Sequence, residues 1–96
     1  MRNKYLVSYD IRDEKRLSRV FNKMKGYGEP IQYSVFICDL SLKEKVLMVT
    51  AMKEIINNLE DSIIIIEIGS SDRKINDIIE VIGKPPEIPE RKSIII

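Results

Sequence analysis

A chain of 96 residues suits one small domain, and a domain of that size buries only about 60–65% of its unfolded surface, so stabilisation by a second copy is expected. Charge is nearly balanced, with 16 Lys and Arg against 15 Asp and Glu, so no global field draws the chain to a polyanion and any nucleic-acid contact has to come from a local patch. With no histidine and one cysteine, Cys38, the chain excludes Ser-His hydrolysis, histidine-bound zinc, thiolate clusters and a disulfide framework.

Tyr5-Leu6-Val7-Ser8-Tyr9-Asp10 alternates large and small side chains as a strand does. The strand, placed at 4–9, ends on a carboxylate, so Asp10 lies at the rim of a sheet. A rim Asp commonly orients a turn or caps a helix; here it is also a candidate ligand for a divalent metal. From Asp13 to Lys25, the residues Leu17, Val20, Phe21 and Met24 mark the apolar face of a helix. Arg12, Arg16, Arg19 and Lys23 form a second stripe on a different face. Such a stripe is ordinary solvation on a wet helix face, or, beside a metal-binding carboxylate, a seat for a phosphodiester.

Gly26 to Pro30 end that helix, since glycine suits the position after a helix and proline forbids continuation. Ile31 to Leu40 reads as one long or kinked strand by its Val, Ile, Tyr and Phe content. Ser41 and Glu44 have the spacing of a capping box, and the helix they open extends to about Leu59. Leu42, Val46, Val49, Met52, Ile56 and Leu59 are its expected inner face, with Met48 and Met52 as gap-filling core. Ser62 to Ile68 is the strongest strand signal, its isoleucine run arguing burial on both faces or an interior place in the sheet.

A last strand is expected over Ile78 to Ile82, stopped by Gly83. Lys84 to Ile96 then forms an extended tail. Its prolines favour a semi-rigid spacer, and Ile88, Ile94, Ile95 and Ile96 form an adhesive end suited to a sheet edge of a partner. The order β-α-β-α-β-β belongs to the α+β class, with two helices on one face of an antiparallel sheet and the other face free for a partner. Residues 1–83 make the domain and 84–96 the tail. No apolar run is long enough to span a bilayer and no signal-peptide core is visible, so the expected compartment is the cytoplasm.

Tyr9-Asp10-Ile11, Arg16 and Arg19, Tyr27-Gly28, Gln32-Tyr33-Ser34-Val35-Phe36 and Asp39-Leu40 together resemble the small CRISPR-associated adaptation nuclease family, Cas-two. The resemblance spans roughly 4–83. It departs at Pro30, where many relatives carry an arginine. What it implies is a ferredoxin-like sandwich that dimerises through its sheets, with Asp10 of two copies near the dimer axis sharing one Mg²⁺ or Mn²⁺. Arg16 and Arg19 match the family's basic positions, Phe36 the aromatic of its second motif, and Tyr9 and Ser34 stand beside them as supporting residues.

The implied activity is metal-dependent cleavage of single-stranded RNA or double-stranded DNA. The implied assembly is a homodimer that bridges the integrase partner, Cas-one, and supports protospacer DNA, with the tail as a partner-binding element. An alternative is a toxin-like metal-dependent ribonuclease of the same fold outside any CRISPR locus. The absence of histidine bears on mechanism in either case. A nucleophilic water would have to be activated by a hard, oxygen-bound cation.

Overall fold

The computed structural model describes residues 1–86 of the chain. The tail positions Ile88, Ile94, Ile95 and Ile96 lie outside the described residues. β1 (Arg2–Asp10), α1 (Glu14–Met24), β2 (Gly28–Gln32), β3 (Val35–Ser41), α2 (Leu42–Ile55), β4 (Ser62–Ser70) and α3 (Ile75–Ile78) follow in order. The four strands form one antiparallel sheet in the order β2-β3-β1-β4, the ferredoxin-like arrangement.

Alternation along β1 divides the two faces of the sheet. Tyr5, Val7 and Tyr9 are buried among Phe36, Cys38 and Leu40 of β3 and beneath the two long helices. From α1 come Val20 and Met24, and from α2 come Met48, Met52 and Ile55. Aliphatic and methionine side chains fill this core, and Tyr9, Phe36 and Phe21 form its one aromatic chain, with ring centroids 6.2 and 5.7 Å apart. The one cysteine, Cys38, is buried and reduced within it.

Leu6, Ser8 and Asp10 point to the opposite face. Register sets Leu6 between Ile37 and Ile66, and Ser8 opposite Ile64. Ile37 is covered, whereas Ile64 and Ile66 keep 56% and 51% of their surface exposed. The β4 half of this face therefore presents branched aliphatic side chains to solvent, an uncovered surface of the kind expected from the sequence.

Three expectations about the strands are corrected. Ile31 to Leu40 is not one strand: β2 and β3 are joined by a tight turn at Tyr33 and Ser34, with Ser34 at φ 64°. The carbonyl of Ser34 accepts a 3.1 Å hydrogen bond from the Tyr9 amide, which ties the turn to the end of β1. Residues 78–82 do not form a strand, because the chain makes the short α3 and then continues without regular structure. β4 is an edge strand among the described residues rather than an interior one, and its burial is one-sided.

The inner face of α2 is also different. Met48, Met52 and Ile55 are buried, while Leu42 and Val46 are exposed. The helix ends at Ile55, which leaves Leu59 in the following turn at 96% exposure. Pro30 sits in edge strand β2 opposite Phe36, where a missing amide donor is tolerated because one side of the strand has no ladder to serve.

Candidate functional site

Asp10 closes β1 opposite Ser62, on the same face as Ile64 and Ile66. Its side chain is 67% exposed, and its carboxylate lies 3.3 Å from the guanidinium of Arg12. This pair is open to water, so its own attraction is weak, and either member can be drawn to a stronger partner. Among the described residues no three potential ligands gather to hold a metal ion.

That donor set can be tested against a divalent cation. One carboxylate does not make a site within a single chain. Two Asp10 carboxylates brought together by a second copy would suit Mg²⁺, which keeps several waters and takes only one or two protein carboxylates. The fit therefore depends on pairing of two chains.

The cationic stripe splits in two when it is followed around α1. Arg16 turns inward: its Nε donates to Asp61 Oδ2 at 2.7 Å and its Nη2 to Glu60 Oε1 at 2.9 Å. The Asp61 side chain is fully buried and also accepts the backbone amides of Arg12 at 2.9 Å and Asn57 at 2.8 Å. Hydrogen bonding from Arg16 is the chief reason that the Asp61 carboxyl is held far below the ordinary carboxylate range, with the two amides acting in the same direction against its burial. Arg16 is correspondingly raised above its usual value, first of all by Asp61.

Arg16 is thereby engaged in clamping the start of α1 to the α2–β4 turn. It departs in this from its place in the sequence as a cation open to phosphate. Arg12, Arg19 and Lys23 remain the exposed cations. Arg19 and Lys23 line a shallow groove between α1 and α2, while Arg12 stands at the sheet end beside Asp10. Glu60 and Asp61, which organise Arg16, fall in the sequence between the expected end of the second helix and the next strand, where no local signal marks them.

Tyr9, Ser34 and Phe36 gather on the other side of the Asp10 rim. Phe36 is wholly buried and supports Tyr9 from below. Burial pushes the Tyr9 phenol up from its ordinary pKa, and the hydrogen bond with the Ser34 side chain works in the opposite direction. The phenol thus stays neutral and acts as a positioning group for the β2–β3 turn. Its strand neighbour Asp10 inherits a fixed backbone, since Tyr9 is locked in place by both its ring and its amide.

Comparison with known proteins places the chain in a family. Residues 3–75 match the family model described as CRISPR associated protein Cas2. The chain is 36% identical over 92 residues to CRISPR-associated endoribonuclease Cas2 1 of Rhodospirillum rubrum, covering 96% of this chain and 89% of that protein. It is 35% identical over 96 residues to CRISPR-associated endoribonuclease Cas2 of Geobacter sulfurreducens, with both chains covered in full.

Among solved structures, Cas2 of Streptococcus pyogenes at pH 6.5 superposes with a TM-score of 0.73 at 30% identity, over 83% of this chain and 99% of that one. A hypothetical protein, TT1823 from Thermus thermophilus, superposes with a TM-score of 0.78 at 27% identity, over 93% and 100%. Sheet order and near full-length similarity thus converge, and the chain belongs to the CRISPR-associated Cas2 family.

Proposed function

We propose that two copies of the protein associate through the open sheet face and form a Mg²⁺- or Mn²⁺-dependent endonuclease of a CRISPR adaptation system. The observation that carries this reading is the exposure of Asp10 on the same sheet face as half-exposed Ile64 and Ile66. Covering those isoleucines with a second copy removes apolar surface from water and draws two carboxylates toward one axis. The relatives from R. rubrum and G. sulfurreducens are CRISPR-associated endoribonucleases, which supports RNA as a substrate class.

In this reading the Asp10 pair would hold the cation, which when bound supplies Lewis acidity and an activated water. The residues of the chain itself have three tasks. Arg12 neutralises a phosphate beside Asp10, and once Asp10 is engaged its guanidinium is released from the weak pair it makes with that carboxylate. Arg19 and Lys23 hold the flanking backbone as point and fork donors. Arg16 keeps α1 at a fixed distance from the sheet end through Asp61, so that the cations do not drift from the carboxylates.

The experiment is cleavage of single-stranded RNA and of double-stranded DNA by wild type and Asp10→Ala in Mg²⁺. Activity of the wild type is expected to fall to background in the variant on at least one substrate, whereas equal rates would place the chemistry elsewhere.

A second reading is favoured by the sparse donor set around Asp10 among the described residues. The dimer then serves as an adaptor that carries protospacer DNA on Arg12, Arg19 and Lys23 and bridges the Cas-one integrase. Asp10→Ala should leave DNA binding intact in that case. A toxin-like ribonuclease outside a CRISPR locus would share the chemistry but bind no integrase.

A further inference from the structure

We infer that the cleft between the β2–β3 turn and the first two turns of α1 is a binding site for one unpaired nucleobase, next to the Asp10 rim. The inference rests on the reading of the protein as acting on nucleic acid, and it names the form of substrate that the same end of the sheet takes. The cleft has a volume of about 300 Å³, at the lower end of the range for small-ligand sites.

One wall is Tyr33, which stands at the tip of the turn with 83% of its surface exposed. Phe21, whose ring is partly open to solvent, lines the same cleft. Glu14, Ser18 and Ser34 also line the cleft, residue types whose side chains can donate to or accept from the polar edge of a base. Tyr9, buried in the core, lines it from the β1 side. Lys25 Nζ lies over the Phe21 ring, 5.2 Å from its centre, so a cation stands next to one of the cleft's lining residues.

Each feature has a purpose that packing alone does not supply. Tyr33 contributes nothing to the core, yet the turn that carries it is held firmly: Ser34 adopts a left-handed φ of 64° and its carbonyl is bonded to the Tyr9 amide. An exposed aromatic on a rigid turn is a stacking platform with little conformational freedom to lose on binding. Unpaired bases are recognised by such platforms together with hydrogen bonds to their edges. A paired base inside a duplex cannot reach the cleft, because its face is already stacked and its edge already paired.

The position in the chain links the cleft to the carboxylate. Tyr9 and Asp10 are consecutive residues of β1 and point to opposite faces of the sheet. A strand of nucleic acid that crosses the rim at Asp10 can therefore turn a neighbouring base down to Tyr33. This arrangement selects single strands, or a duplex with a splayed end, over continuous duplex.

The test is equilibrium binding in EDTA, followed by fluorescence anisotropy with a labelled oligothymidylate, a tetrahydrofuran abasic strand of equal length and a continuous duplex. Tyr33→Ala should weaken oligothymidylate binding by about tenfold or more, as loss of one stacking contact does, and leave the abasic strand and the duplex unchanged. Tyr33→Phe should retain the wild-type affinity, and Ser18→Ala should give a smaller loss confined to the same probe. Unaltered oligothymidylate binding by Tyr33→Ala, or an equal loss on the abasic strand, would overturn the site.

Tyr33 is exposed, so its replacement leaves the core intact, and an unchanged thermal midpoint for each variant checks this. The result is separable from the nuclease reading. Loss of cleavage in Asp10→Ala with normal binding by Tyr33→Ala removes the base site alone. The reverse pattern removes the metal site alone.

Discussion

Asp61 is the residue on which the local order of the candidate site depends most. It is buried, it takes both the Arg16 guanidinium and two backbone amides, and its ordinary surroundings in an unfolded chain offer none of these. Because its folded pKa is depressed, the stability it contributes is fully present above the unfolded carboxylate value of about 4. It is lost as pH falls below that value toward the folded one. Thermal denaturation should therefore show a drop in Tm between pH 7 and about pH 3 that is smaller in Asp61→Asn than in the wild type. At neutral pH the same variant should be clearly less stable than Arg19→Ala, since removing one member of a buried pair strands the other. Parallel pH curves for the two proteins would show that the clamp contributes nothing.

The same residue shows where a sequence stops being legible. Asp10 and the stripe Arg12, Arg16, Arg19 and Lys23 are readable because strand alternation and helical spacing are local. The partner of Arg16 lies 45 positions further along the chain, and no spacing rule connects them. Arg16 and Arg19 therefore look alike in the sequence, whereas one is pinned in the fold and the other faces solvent. Tyr33 was visible only as part of an aromatic run, and its exposure became apparent once the run was broken into two strands.

At the scale of elements, the start of α2 shows the opposite case. Ser41 and Glu44 exchange hydrogen bonds with each other's backbone amides at 3.1 and 2.8 Å, as their spacing in the sequence specifies. Replacement of Ser41 by Ala should cost about 1 kcal/mol and lower Tm by about 4–8 °C for a domain of this size. An unchanged Tm would mean that tertiary packing alone sets the helix start.

The rest of α2 was harder to read because aliphatic residues occur on several sides of it. Leu42, Val46 and Val49 compete with Met48, Met52 and Ile55 for the role of inner face, and only contact with β1 and β3 decides between them. The β2–β3 turn is only faintly legible, as a kink near Tyr33 and Ser34 in a long strand, for a different reason. Tyr33 is not a usual turn residue, Ser34 is a common one but rarely takes a positive φ, and the φ it adopts here is sustained by its bonds to Tyr9 rather than by intrinsic preference. Residues 78–82 have strand-like composition but no free ladder position that they occupy among the described residues, so composition alone misled.

For the whole molecule, what matters is the unequal covering of the sheet. One face carries both long helices and the core, and the other leaves Ile64 and Ile66 half exposed beside Asp10. A small domain that presents β-branched aliphatics in this way gains by hiding them. Ile66→Arg should shift the protein from dimer to monomer in sedimentation analysis and reduce cleavage without lowering Tm of the monomer fold. A stable dimer in that variant would move the interface elsewhere. The proposed chemistry depends on that face being covered, because each chain offers too few carboxylates at the rim, among the described residues, to hold a metal alone.

The most direct measurement is the rate of Mg²⁺-dependent cleavage of single-stranded RNA by wild type and Asp10→Ala, prepared and assayed side by side. Loss of all metal-dependent cleavage in the variant, with its dimer and its Tm unchanged, is the expected result. Cleavage at the wild-type rate by Asp10→Ala would contradict a metal site built from paired Asp10 carboxylates.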